Sequence, residues 1–570
     1  MNKNWDWEYV KGNKEIAHQL RQINQNIPEI ICDLLTQRNI ESEAQLTKYL
    51  YPNFSDLHDP FLMLNMKEAC NRIEQAIENK QKILIIGDYD VDGTTSVAVL
   101  YQFLTSFYSD VDFYIPNRFT EGYGVSEAAI NYAQAENFKL IITVDCGIKS
   151  SGLIQRAKEA DIDTIISDHH LPTENLPPAI AILNPKQHNC NYPCKDLCGC
   201  GIVFKLITAL ADQRRLPAKS YEKYLDLVAL AIAADIVPIL DENRTMCKFG
   251  LDQINQKKAN YGIKALLEVT KLVEEIKVKD LVFMIAPKIN AAGRISDAKA
   301  AVKLFLSPDL ESAREQALLL NENNEERRTL DQETFVMAQA LILKDLDYQY
   351  KKSTVLYHPD WNKGVIGIVA SRLIELYYRP TLVFTKSAND TITGSARSIE
   401  GFNIYEAISF CHEYIENYGG HFAAAGLTLK LANFEMFKKK FEEYVATNLL
   451  LNPLPPTIKI NAEIEFEQIN EEFYDQLIQL EPFGTENMEP IFSTSNVTDT
   501  GYSKIVKENH IVFGMRQNNF QLSGIGFNLA SKFYIVKSKK PFSIVYKIKR
   551  EFYKGVNYLK LYILDLKLSP

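Results

Sequence analysis

The chain has little that would mark a membrane, secreted or simple polycation-binding protein. No apolar stretch reaches the roughly 18 residues of a membrane helix, so no span and no membrane partner are expected. The opening MNKNWDWEYVKGNKEIAHQL holds no apolar run behind basic residues, so it does not read as a secretory signal. Positive charge is not in excess: 63 Lys and Arg against 72 Asp and Glu leave a formal −9. That argues against non-specific polycation binding, though not against a local basic groove. The cysteines are few and odd in number, nine in all, which fits a reducing compartment better than a disulfide framework. A cytoplasmic location is therefore expected. With 25 Gly, 22 Pro and no internal repeat, disorder and collagen-like architectures are excluded as well.

What is present is a globular composition, 46% hydrophobic and 24% charged over 570 residues, enough for about three or four domains. Residues 1–60 read as helical or irregular and end in the turn-rich YPNFSDLHDP. From Met66 onward helical runs alternate with the short continuous apolar runs KILIIGD, VDFYI, KLIITVD and IDTIISD. Such alternation predicts a parallel α/β sheet covered on both faces, with ligands bound beyond the carboxyl ends of its strands. Residues 309 to about 346 are charged and strongly helical, with an expected kink at the Asn-rich NENN. A smaller α/β unit follows, built from STVLYH, GVIGIVASRLIELYY, TLVF, TITGSAR and NIYEAISFCHEYI, and it carries the glycine-rich GGHFAAAG. The cluster LNPLPP marks a boundary, after which alternating segments predict an all-β module.

The chemistry collects at the expected strand ends. KILIIGD runs into Asp88, Asp90 and Asp92; KLIITVD ends at Asp145; IDTIISD ends at Asp168, His169 and His170; the apolar helical run YLDLVALAIAAD ends at Asp235, just before Pro238. DYDVDG resembles a calcium loop, but the bidentate Glu needed at the twelfth position is Val99. Several carboxylates with an imidazole suit hard divalent ions and move the preference from Mg²⁺ toward Mn²⁺. Asp90, Asp92, Asp145, His169 and Asp235 supply enough ligands for two ions sharing a carboxylate, an arrangement suited to hydrolysis of phosphodiester or phosphoanhydride bonds.

DYDVDGTT, VDCG, SDHH and AADIVP, in this order and spacing, resemble the four motifs of the DHH phosphoesterase superfamily. APKINAAGR, WNKGVIGIVASRL, GSARS, GGHFAAAG and EPFGTEN are similar to segments of its RecJ family of single-strand-specific DNA exonucleases. The resemblance implies a parallel-sheet DHH catalytic domain (61–308), a connecting helix (309–350), a smaller α/β DHHA1 substrate-binding domain (351–451) and a C-terminal all-β OB-fold (452–570). Residues 1–60 would be an extension packing on the catalytic domain. It also implies 5′-to-3′ degradation of single-stranded DNA in repair and recombination, with two Mn²⁺ ions for which Mg²⁺ can substitute. A helicase and a single-strand-binding protein would be partners, and the chain would be a monomer.

Carried over by position, the metal ligands are Asp88, Asp90, Asp92, Asp145, His169 and Asp235, with Asp145 as the bridge. Asp168 and His170 would act with Asp145 and His169 in catalysis, or orient ligands from outside the coordination sphere. Arg118, Asn290, Arg294, Ser395 and Arg397 resemble residues that grip the substrate, the guanidinium forks taking a 5′-terminal phosphate. Gly420 and His421 would contact it from the glycine-rich loop.

Two further features bear on function. Residues 531–570 hold ten Lys or Arg against two acids, interleaved with Phe533, Tyr534, Phe542, Tyr546, Phe552, Tyr553, Tyr558 and Tyr562. This composition suits single-strand binding, with a basic face as its firmer element and many of the aromatics in a barrel core. Cys190, Cys194, Cys198 and Cys200 lack the spacing of paired zinc knuckles and have no assigned role. Related hydrolases of short oligonucleotides, cyclic dinucleotides or pyrophosphate generally lack the C-terminal module. A non-catalytic DNA-binding scaffold would show eroded acids, and here every cluster is complete.

Overall fold

A computed structural model describes residues 5–388, 390–449, 457–553 and 555–569. The catalytic unit is built on a five-stranded parallel sheet in the order Val111–Tyr114, Ile83–Gly87, Leu140–Val144, Asp163–Ser167, Ala181–Leu183. The strands are continuous apolar runs because helices cover both faces. Every residue of Ile83–Gly87 and Leu140–Val144 is buried. The chain leaves Ile83–Gly87 for the strand on one side and returns to Leu140–Val144 on the other. The sheet therefore reverses its winding between these two strands, and there a crevice opens beyond their carboxyl ends. Asp88 and Asp145 are the residues that follow those two strands.

The helix Leu310–Lys344 joins this unit to the second one, and its helical hydrogen bonding runs unbroken through NENN. The expected kink is absent because the asparagines are bound from outside the helix: Asn323 Nδ2 donates to Ser296 Oγ (2.9 Å) and Asn321 Oδ1 accepts from Lys288 Nζ (2.5 Å). Side chains occupied in this way do not compete with the helical backbone. The second unit is a mixed sheet in the order Asn417–Gly420, Ala424–Lys430, Thr391–Arg397, Thr381–Lys386, Thr354–Tyr357. The last two strands are parallel and the others antiparallel.

The C-terminal module is a seven-stranded sheet in which Phe492–Asp499 pairs with both Phe542–Tyr553 and His510–Gln517, closing it into a barrel. The boundary proposed at 451/452 lies outside the described residues. Residues 1–60 have most of their buried side chains in the core of the C-terminal module. Leu20, Leu34, Leu35 and Leu46 share one core with Phe466, Phe492, Phe513 and Tyr546 of the barrel module, and Asp6–Tyr9 forms a parallel pair with Thr457–Ile460. Phe54 and Leu57 do pack against the catalytic core. The extension thus touches both the C-terminal module and the catalytic unit. Among the described residues no helix is long and apolar enough to cross a membrane.

Candidate metal and phosphate site

The crevice gathers acids and imidazoles from four separate segments. Asp90 caps the helix Val91–Thr105, its carboxylate accepting from Gly93 N at 3.0 Å. Asp92, two residues further on in the first turn of that helix, is buried and accepts from the first amides of the helix Gly199–Gln213, Gly199 N at 2.6 Å and Cys200 N at 2.8 Å. A helix N-terminus supplies unpaired N–H groups, so it is a natural seat for a carboxylate. Asp145 turns off its strand at φ +57°, with its amide still bonded to Ser167 O at 2.9 Å. Only a glycine fits opposite it: a Cβ on Gly199 would lie 2.7 Å from Asp145 Cβ.

His169 sits at the centre. Its Nε2 lies 3.2 Å from Asp145 Oδ1, 3.6 Å from Asp235 Oδ2 and 3.9 Å from Asp92 Oδ2. Two sets of ligand atoms each fall within 4.8 Å of one another, Asp145–His169–His170 and Asp92–His169–Asp235. Asp88 and Asp90 stand outside both sets, but their charges help push Asp145 upward. His170 Nδ1 is held by Asp168 Oδ1 at 2.7 Å, and Asp168 Oδ2 accepts from Ile148 N at 3.0 Å. Asp168 and His170 therefore form an orienting pair beside the ligands.

Burial dominates the electrostatics. It pushes Asp88 and Asp145 well above the ordinary carboxylate range, raises Asp92, and takes Asp235 up to about 9, with neighbouring carboxylates adding to each shift. Burial holds His169 below its ordinary value. It would also raise Asp168, but the bond from His170, the charge of that ring and the amides of Ile148 and His170 together outweigh it and keep Asp168 low, while His170 is raised in return.

The donor set fits a divalent cation. Asp88 Oδ2, Asp145 Oδ1 and both ring nitrogens of His169 are buried with no hydrogen-bond partner. Leaving such groups unpaired costs about 1–3 kcal/mol each, and a cation would satisfy several at once. Neutral imidazole offers one lone pair, so His169 can serve one ion only. A group shared by two ions must then be a carboxylate, and Asp145, whose Oδ1 is unpartnered and lies 3.2 Å from Nε2 of the His169 common to both sets, is the candidate for it.

Next to the acids lies a cluster of guanidinium groups from two domains. Arg118 stacks on the Tyr89 ring at 5.0 Å. Arg294, on the helix Ala286–Ile295, donates to Gly364 O at 3.0 Å across the domain boundary. Arg397 donates to Ser395 Oγ at 3.0 Å. Burial, followed by repulsion from Arg118, Arg327 and Arg397, lowers Arg294 to about 10. Among the described residues no ion pair forms with Arg118, Arg294 or Arg397, so the cluster keeps its positive charge and suits an anion. Asn290 is used structurally, its Oδ1 accepting from Val91 N at 3.1 Å and so fixing the turn that carries Asp90 and Asp92. Gly420 is in register with Ala425, which in turn faces Ala396, so Gly420 and His421 end the strand row beside Arg397. His421 is exposed there.

Three residues join the site that sequence reasoning passed over. Tyr123 OH donates to Asp145 O at 3.0 Å and lies 3.2 Å from His170 Nε2. Its only sequence signal is the pair of flanking glycines, both at positive φ. Arg327 comes from the connecting helix, where a charged residue reads as solvated surface. Cys200 contributes its backbone amide to Asp92, which no side-chain pattern reveals. All four clustered cysteines are buried; Cys198 Sγ caps its helix by accepting from Gly201 N at 3.3 Å, and Cys190 Sγ accepts from Leu64 N at 3.5 Å.

The basic face of residues 531–570 is weaker than its composition suggests. Lys532 pairs with Asp565, Lys547 and Lys549 with Glu489, Arg550 with Glu471 and Asp475, and Lys560 with Glu551. Phe542 and Tyr546 lie in the barrel core, whereas Tyr534 and Phe552 are exposed. Lys554 and the Tyr553 side chain lie outside the described residues.

Comparison with known proteins agrees with this organisation. Residues 82–232 match the DHH family, N-terminal domain; residues 348–447 match the DHHA1 domain; residues 460–565 match the RecJ OB domain. The single-stranded-DNA-specific exonuclease RecJ of Bacillus subtilis is 36% identical over 525 residues, spanning 92% of this chain and 66% of that protein. The protein of the same name from Haemophilus influenzae is 34% identical, over 91% of this chain and 93% of its own. The crystal structure of RecJ in complex with Mn²⁺ from Thermus thermophilus superposes with a TM-score of 0.83 at 25% identity, covering 100% of this chain and 80% of that one.

Proposed function

Because the chain belongs to the RecJ family of single-stranded-DNA-specific exonucleases, we propose that it is a metal-dependent exonuclease hydrolysing the phosphodiester bonds of single-stranded DNA from the 5′ end. The observation that carries this reading is the juxtaposition of unpartnered buried ligand atoms at Asp145 and His169 with the unpaired guanidinium cluster. Asp92, His169 and Asp235 would hold one ion, and Asp145 with the neighbouring Asp88 and Asp90 the other, Asp145 being the carboxylate that serves both. Mn²⁺ is preferred and Mg²⁺ is the substitute. The bound ions supply an acidified water and neutralise charge developing on the phosphate.

The chain's own residues do the rest. Arg118, Arg294 and Arg397 form charge-assisted bonds to the terminal phosphate, with Ser395 beside them, and this fixes the following phosphodiester over the acids. Gly420 and His421 line the same approach from the neighbouring strand. Asp168 holds His170 through Nδ1, and His170 with Tyr123 steadies the Asp145 turn. The enzyme would act in the cytoplasm as a monomer in repair and recombination, on strands supplied by a helicase and covered by a single-strand-binding protein.

Replacing Asp145 with Ala tests the assignment. Hydrolysis should fall below detection while the chain still folds and still binds single-stranded DNA; retained turnover contradicts the metal site.

A further inference from the structure

Asp235 differs from the other acids in how it is held. Asp88, Asp145 and Asp168 directly follow strands of the central sheet, whose ladder fixes them. Asp235 instead caps the helix Leu225–Ala234 and opens a short connection, Ile236 to Leu240, before the next helix at Asp241. That connection is strained at its first residue: Ile236, β-branched and 63% exposed, adopts φ +60°. A strained turn persists only when its surroundings over-determine it.

The surroundings come from the C-terminal module. Ile239 N donates to Thr485 O at 2.8 Å, joining the Asp235 turn to the segment EPFGTEN as a strand-like contact. Gly484 lets the two backbones meet: a Cβ there would lie 2.3 Å from Ile239 Cδ1. The segment is itself rigidly built. Asn487 is fully buried and satisfied on both sides, its Oδ1 accepting from Arg38 Nε (2.7 Å) and Tyr49 OH (2.8 Å), its Nδ2 donating to Leu480 O (3.0 Å) and Pro482 O (2.9 Å). Arg244, from the helix that follows the Asp235 turn, closes the circuit by donating to Glu481 O at 2.7 Å and Tyr49 O at 2.6 Å.

We infer that Gly484, Thr485 and Asn487 are positioning residues for Asp235: the C-terminal module, through this segment and the N-terminal extension, sets the affinity of the ion that Asp235 binds. The inference rests on the reading of Asp235 as a metal ligand. It gives the C-terminal module a role in the metal centre besides any role in holding DNA, and it explains why a segment far from the acids in sequence is packed against their turn.

The test is a Mn²⁺-binding titration of the full chain, without DNA, for wild type, Gly484→Val, Gly484→Val with Ile239→Ala, and Asp235→Asn. Displacing a group that orients a ligand weakens metal binding by about 10- to 100-fold. Gly484→Val should weaken one Mn²⁺ by that factor, and Ile239→Ala, by making room for the added side chain, should recover most of it. Wild-type Mn²⁺ binding in Gly484→Val, or a loss that Ile239→Ala does not relieve, overturns the inference. If Gly484→Val fails to fold, Gly484→Ala carries the same comparison with a smaller insertion, its methyl meeting Ile239 Cδ1 and Cγ1 first and Val278 Cγ1 next. Unchanged binding in Asp235→Asn would instead overturn the reading of Asp235 as a ligand.

Discussion

At the scale of single residues, the site is a set of carboxylates that would repel one another without a cation. Asp235 shows the consequence for stability. Its folded pKa of about 9 lies above its ordinary value of 3.8, so the protonated form favours the fold. That contribution is complete below 3.8 and is lost as the pH rises through about 9. In the presence of chelator the wild-type melting temperature should fall across this window relative to Asp235→Asn, which cannot ionise. Saturating Mn²⁺ should reverse the trend, because the ionised carboxylate is the form that binds. Parallel melting curves in chelator would show that Asp235 is not under this electrostatic load. The acids and histidines were legible in the sequence because each ends an apolar run, and that pattern places them at one edge of a parallel sheet. Tyr123 and Arg327 were not, since neither residue type nor spacing separates them from ordinary surface.

Among elements, the N-terminus of the helix Gly199–Gln213 matters most to the site, because its first amides hold Asp92 and its missing Cβ admits Asp145. Gly199→Ala should leave the helix intact, alanine being the better helix former, yet displace Asp145 and weaken Mn²⁺ binding by about 10-fold or more. Wild-type affinity in that variant would mean that the Asp145 turn is not held by this contact. Sequence periodicity located most helices and strands but missed two features of elements. The strand Asp6–Tyr9 owes its existence to Thr457–Ile460, a partner some 450 positions away that local pattern cannot supply. The NENN segment looks like a helix breaker in isolation, and its asparagines become compatible with the helix Leu310–Lys344 only because Ser296 and Lys288 occupy them.

For the whole molecule, three modules meet around one crevice, and charge is distributed accordingly. Lys547, Lys549 and Arg550 of the basic tail are paired with acids at Glu471, Asp475 and Glu489, which lie apart from it in the chain and so escape a count over a window. Lys539 and Lys540 are exposed bases on that module and form no ion pair among the described residues. Replacing both with Glu should weaken binding of single-stranded DNA and reduce the slope of log affinity against log salt by about 1.4, the value for two lost phosphate contacts. Replacing Lys547 or Lys549, which are paired with Glu489, should change stability more than the salt slope. Equal slopes for wild type and the Lys539/Lys540 variant would remove this surface from the DNA path.

The central claim is that the acid cluster and the guanidinium pocket together make an end-directed, metal-dependent nuclease for single strands. Its most direct test is digestion of one DNA strand labelled at either end, alone or in a blunt duplex, with Mn²⁺, Mg²⁺ or chelator. Mn²⁺-dependent release from the 5′ end of the single strand only is the expected result. Failure to cut long DNA while dinucleotides are hydrolysed, or release from the 3′ end, would contradict it.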